Sequence, residues 1–263
     1  MSTKKITNLS KIQKPNKYII MFTNYTDILL SSLSFNPKFT EIVARRQSIL
    51  DNVYALENLT PQSILFVGFN PAILGCRAKT IAVTEISDTA IKYLKDNGVK
   101  FTHINSDDLG NYGKQFQAVI AMDEYFTFAT SDADQQQKIS LLCGLATNFI
   151  VSTMRDYKNQ DFKEKEFSQP LSVRDNSSVK MFFEHHEWDQ IDRQRWETSV
   201  YEIDYPSNTT KIHGNFDRRT VYFKQLAKFS IDSGAANFLV HKNLMYKSVI
   251  RRNYEHVVSI QFD

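Results

Sequence analysis

At 263 residues, with 42% hydrophobic and 23% charged side chains, the chain has the makeup of a folded globular protein and the length of one large domain or two small ones. No run approaches the roughly eighteen apolar residues of a membrane-spanning helix, and the polar, basic stretch 1–17 lacks the apolar centre of a secretory signal, so a cytoplasmic protein is expected. A formal charge of +3 is too small to select a partner.

The charge is nevertheless uneven. Lys4, Lys5, Lys11, Lys14 and Lys17 precede the first acid, Asp27, and suggest a basic arm. Nine Lys or Arg fall between Lys211 and Arg252, against Asp217 and Asp232. Either patch could attract nucleic acid, although a solvated surface face explains them as well. Cys76 and Cys143 lack metal-ligand spacing and read as reduced thiols, with Cys143 in the core beside Leu141, Leu142 and Leu145.

In chain order, residues 18–60 read as an N-terminal helical segment. Phe39, Ile42, Val43, Ile49, Leu50, Val53 and Leu56 keep helical spacing there, and Pro37 suits a first turn. Ser63 to Gly68 is a short unbroken apolar run, the signature of a parallel strand buried on both faces. A second run, Thr80 to Thr84, ends at Glu85, and Ser87-Asp88 can cap a helix that Gly98 terminates. Strands are predicted at 100–104, 116–122 and 148–153, with a helix over 132–146. Residues 61–154 thus form a Rossmann-like ligand-binding core. Residues 155–218 break the rhythm with Pro170, Pro206 and short alternating runs at 179–184 and 198–204, predicting an inserted hairpin or small subdomain that can serve as a lid. Residues 219–263 return to the core with a helix over 222–233 and closing strands at 238–241 and 257–262. The fold class is α/β, a doubly wound, mostly parallel sheet with a closing antiparallel hairpin and an inserted β-rich segment.

Ligands of such sheets bind where the strands end, at the switch in strand order. The turn Gly68-Phe69-Asn70-Pro71 follows the first strand and Glu85 the second. Asp107 and Asp108 follow the third, and Asp123 and Glu124 the fourth. A carboxylate at Glu85 can accept two hydrogen bonds from ribose hydroxyls, and a glycine turn admits close backbone approach. Each acid has a plainer alternative as a helix cap or loop residue.

These residues resemble class I S-adenosylmethionine-dependent methyltransferases over Ser63 to Thr153. Ile64-Leu65-Phe66-Val67-Gly68 looks like their first motif, Val83-Thr84-Glu85-Ile86-Ser87 like the second, and Ile104 to Asp107 and Phe116 to Asp123 like the later two. The end, Tyr254 to Ile260, looks like their final hairpin. The chain also resembles methyltransferase-like proteins of marine cyanobacterial tailed phages. The resemblance implies methyl transfer to an unidentified acceptor, with S-adenosylmethionine as cofactor. Gly68 and Asn70 would lie along the methionine portion, Glu85 on the ribose and Asp107 by the adenine. Asp123 and Tyr125 are the catalytic candidates, as substrate positioner or proton acceptor. Arg155 to Asn159 forms a further polar cluster at that edge.

The match departs from the family where Phe69, Asn70, Pro71 and Ala72 replace a run of alternating glycines, making the loop stiffer and bulkier. Gln117 also stands where an acid is frequent. The competing expectation is a non-catalytic binding or assembly module that kept the fold. The P-loop and G-x-G-x-x-G fingerprints are absent. So are the Asn-Pro-Pro-Tyr, Asp-Pro-Pro-Tyr and Pro-Cys signatures of DNA-methylating relatives. Glu184-His185-His186-Glu187-Trp188-Asp189 is read as a solvated edge strand, not a metal site, because neighbouring histidines on a strand face opposite ways. Phe126, Phe128, Trp188 and Trp196 are read as core.

Overall fold

The computed structural model describes residues 17–34, 36, 38–159, 165–174, 178–247 and 254–263. The expected basic arm before Lys17, Pro37, and Arg251 and Arg252 lie outside them. Helices α1 (Lys17–Ser34) and α2 (Phe39–Leu56) come first. Strands β1 (Ser63–Val67) and β2 (Thr80–Thr84) follow, then α3 (Asp88–Asp96), β3 (Thr102–His103), β4 (Phe116–Ala121), α4 (Asp132–Cys143) and β5 (Ala146–Met154). After five further strands come α5 (Phe223–Asp232), β11 (Asn237–Lys247) and β12 (Tyr254–Gln261).

Among the described residues the main sheet has seven strands in the order β11-β12-β5-β4-β1-β2-β3. β1 runs parallel to both β2 and β4, with Ile64 opposite Ile81 on one side and Ala118 on the other. β12 lies antiparallel between β5 and β11. The switch in strand order therefore falls between β1 and β4. β1 shows why the sheet is covered on both faces. Leu65 and Val67 join an apolar cluster with α1, α4 and α5 residues, while Ile64 and Phe66 join a second with α2 and α3 residues. Successive side chains of a strand point to opposite faces, so an unbroken apolar run fills both layers.

Local chemistry sets the ends. Ser87 caps α3, its hydroxyl accepting from the Ala90 N–H at 3.1 Å, and Gly98 takes the left-handed turn that follows, φ +73°. β3 is two residues long, shorter than the expected 100–104, because it pairs with β2 alone at the sheet edge.

The inserted β-rich segment, expected as a hairpin or small subdomain, is a five-stranded antiparallel sheet: β6 (Lys165–Phe167), β7 (Leu171–Arg174), β8 (Val179–Trp188), β9 (Arg195–Tyr205) and β10 (Thr209–Arg219). β8 pairs with β9 on one side and with β6 and β7 on the other. This corrects the edge-strand reading of Glu184 to Asp189: the strand is central. His186 is buried, whereas His185 points to the other, more exposed face. The inner face of this sheet carries Phe182, Glu184, His186, Trp188, Trp196, Thr198, Val200, Phe216 and Arg218, all buried. No helix of the described residues is long and apolar enough to cross a membrane.

Candidate functional site

The carboxyl ends of β2 and β4 hold three acids in an unusual backbone state. Glu85, Asp123 and Glu124 have φ of +53°, +57° and +56°, the left-handed region that costs a non-glycine residue on the order of 1 kcal/mol or more. Such strain persists where surrounding contacts over-determine it. Gly68, φ +76°, donates its N–H to the Thr84 carbonyl at 2.8 Å, so the β1 turn and Glu85 stand side by side.

Glu85 is buried, and its Oε1 accepts from the Tyr125 hydroxyl at 2.8 Å. Its Oε2 has no hydrogen-bond partner. Burial raises its pKa, while the nearby Lys138 ammonium and the Tyr125 hydroxyl pull it back down. Lys138 is itself buried, donating to the Phe128 carbonyl at 2.5 Å, with its pKa lowered by the same desolvation. Asn70 is buried too. Its side chain accepts from the Ala72 N–H at 2.9 Å, capping a short 3-10 turn over Pro71–Gly75. Asp123 accepts from the Tyr246 hydroxyl at 2.7 Å, and the Arg46 guanidinium lies 3.2 Å from the centre of the Tyr246 ring. Asp107 is exposed in another 3-10 turn, where its N–H is capped by Asn105, so it is not part of this buried set.

Glu124 is the centre of a second group that the sequence did not single out. Its Oε1 accepts from Tyr157 at 2.7 Å and from Arg155 Nε at 3.1 Å, and its Oε2 lies 3.5 Å from Arg218 Nη1. Arg218 also stacks over Phe128 and Tyr25, 4.0 and 4.7 Å from the ring centres. The Tyr25 hydroxyl donates to Glu184 at 2.7 Å, and Glu184 lies 3.2 Å from His186 Nε2. These contacts bind the strand ends, α1 and the inner face of the inserted sheet into one buried polar layer. Two members of the expected 211–252 basic patch are engaged within the protein: Arg218 is interior, and Arg219 is paired with Asp132 at 2.8 Å and Asp192 at 2.9 Å.

α1 lies directly on the β1 turn. A methyl group added at Gly68 would fall 2.4 Å from Phe22 Cε1 and 2.9 Å from Thr26 Cγ2. The Phe22 ring packs edge-on against Tyr125 and Phe128, with centres 4.8 and 4.9 Å apart. Asp27 on the same helix accepts from Ser87 at 2.5 Å, just beyond Glu85.

No protein-family model and no curated protein matches the chain. Solved structures do match. Streptomyces venezuelae DesVI aligns over 89% of this chain and 95% of its own, at 12% identity and a TM-score of 0.65. An S-adenosylmethionine-dependent methyltransferase from Clostridium acetobutylicum aligns over 90% and 98%, at 9% identity and a TM-score of 0.64. The sugar N-methyltransferase KedS8 from Streptoalloteichus aligns over 90% and 92%, at 11% identity and a TM-score of 0.62. The fold is the methyltransferase fold. At these identities the likeness fixes the path of the chain, and chemistry has to be argued from this chain's own residues.

Gly68 and Glu85 stand at the ends of β1 and β2 with other side chains packed over them. Phe22 and Thr26 cover Gly68, and Tyr125 takes one oxygen of Glu85.

Proposed function

We propose that this chain is an S-adenosylmethionine-dependent methyltransferase whose structure is seen with the cofactor crevice closed. The observation carrying the reading is Glu85. It is held at the end of β2 in a strained conformation, next to Thr84, whose carbonyl accepts from the Gly68 N–H, and it is left with one buried carboxylate oxygen unpartnered. A buried acceptor without a donor is costly, and a ribose hydroxyl supplies one. Proteins of the same fold include an S-adenosylmethionine-dependent methyltransferase, a sugar N-methyltransferase and the amino pentose methyltransferase CalS10 with S-adenosylmethionine bound.

S-adenosylmethionine carries its own leaving group, so the chain has to bind, align and exclude water. In this reading Glu85, Gly68 and Asn70 form the cofactor side, and Asp107 reaches the base from the exposed rim. Asp123 and Tyr125 are the candidates on the acceptor side. Equilibrium dialysis with labelled S-adenosylmethionine tests this. Binding in the roughly micromolar to millimolar range usual for enzyme ligands is expected, weakened at least tenfold in Glu85→Ala. No retention at millimolar cofactor would contradict it.

The filling of the crevice by Phe22, Thr26 and Tyr125 favours one other reading, a module that kept the fold and lost the cofactor. It calls for a stable protein complex, recovered by co-purification, from a chain that retains no labelled cofactor.

A further inference from the structure

We propose that the N-terminal turns of α1, up to Thr26, are a gate: seated, they close the cofactor crevice and latch Tyr125 onto Glu85, and they must lift before the crevice can accept a ligand. This rests on the S-adenosylmethionine reading above and adds to it how the site is controlled.

A single side chain does both jobs. Phe22 sits over Gly68, and the same ring is pressed edge-on against Tyr125, whose hydroxyl holds Glu85. Removing Phe22 from its place clears the glycine turn and frees Tyr125 to turn away from Glu85. Opening the cofactor side and releasing the carboxylate are therefore one motion. The closed state is also imperfectly satisfied, since Glu85 Oε2 stays buried without a donor.

The helix is built to part in the middle. Leu30 and Leu33 belong with Leu50 and Val53 of α2 to the second apolar cluster. Met21, Phe22 and Tyr25 belong to the first cluster, on the crevice side of the sheet. Opposite Phe22 and Thr26, Asn24, Asp27 and Ser31 line a groove of about 380 Å³ between α1 and the Lys211 to Phe216 stretch of β10. At about 100° per residue these two stripes face roughly opposite ways, so the turns have room to retreat into. Two polar contacts fasten the gate: Asp27 to Ser87 at 2.5 Å, and Tyr25 to Glu184 on the inserted sheet at 2.7 Å. Asp27 is half-buried, and its carboxyl is held above its ordinary pKa by desolvation.

A ligand that binds only the open state has its affinity reduced by the fraction of molecules that are open, and weakening the closed state restores it. The test is calorimetry with S-adenosylmethionine on the full-length protein, comparing wild type with Phe22→Ala, Asp27→Ala and Asn24→Ala. Phe22→Ala is expected to bind tenfold or more tightly than wild type, and Asp27→Ala severalfold. Asn24→Ala, on the exposed side, is expected to match wild type. Asp27→Ala decides the question on its own should Phe22→Ala fail to fold. Equal affinity across wild type, Phe22→Ala and Asp27→Ala would overturn the gate and leave the cofactor reading standing. Absence of heat in every variant, the opened ones included, would overturn the cofactor reading and the gate with it.

Discussion

Gly68→Ala tests the packing of α1 on the strand ends, and the structure supplies its magnitude. Alanine at φ +76° pays about 1–2 kcal/mol for the left-handed backbone. Its Cβ would also stand 2.4 Å from Phe22 Cε1, more than 1 Å inside ordinary contact of roughly 3.5–4.0 Å. The ring cannot simply swing aside, because Tyr125 and Phe128 hold its edges. Overpacking of this kind costs about 1–3 kcal/mol, so the total loss is about 2–5 kcal/mol. Phe22→Ala alone removes a buried ring at about 3–5 kcal/mol. In the double variant the overlap with Phe22 is gone, and only the milder one with Thr26 Cγ2 at 2.9 Å remains. The double variant's destabilisation should fall short of the sum of the singles by about 1–3 kcal/mol, the range of coupling for residues in contact. Urea denaturation of wild type, both singles and the double measures this. Strictly additive losses would refute the contact between α1 and the β1 turn.

Three further outcomes are expected. Glu124→Gln leaves the buried Arg155 and Arg218 without their carboxylate and should cost about 3–5 kcal/mol in urea denaturation; a loss under about 1 kcal/mol would show that the two guanidinium groups are balanced elsewhere. His186 has its pKa lowered, first by burial and then by Arg155 and Arg218, against an opposing pull from Glu184. The unfolded chain therefore binds a proton that the folded chain refuses between the lowered value and the ordinary one, about 6.5. Its contribution is present above that pH and lost as pH falls through the window, with a slope of at most about 1.4 kcal/mol per pH unit. His186→Gln should flatten the stability profile there, and an unchanged slope would exclude His186 as its source. Tyr246→Phe removes the 2.7 Å donor to buried Asp123 and should cost about 1–3 kcal/mol by thermal unfolding; a neutral result would mean Asp123 is held by other contacts.

The parallel strands could be read from the sequence because burial on both faces leaves an unmistakable mark, as in Ile64 to Val67 and Ile81 to Val83. The strand-end acid Glu85 followed from the same pattern. Of the inserted β-rich segment, alternating runs foreshadow the first half of β8 and most of β9, whereas Glu184, His186 and Arg218 point inward and scramble the polar–apolar alternation on the rest of β8 and on β10. Glu124 was visible beside Asp123, yet nothing local marked it as the hub. Its partners Arg155, Tyr157 and Arg218 come from distant segments. The position of α1 was equally hidden. Phe22, Tyr25, Thr26 and Leu29 keep helical spacing, which announces a buried stripe but not that Gly68 is what the stripe covers.

Hydrogen exchange along α1, with and without S-adenosylmethionine, tests competition between helix and cofactor most directly. Most ligands slow exchange around their site. Here saturating cofactor should instead speed exchange at the amides of residues 21–26 while those of 30–34 hold their rate. Slower exchange across the whole of α1 would mean that helix and cofactor occupy their places together, and that the crevice lies elsewhere.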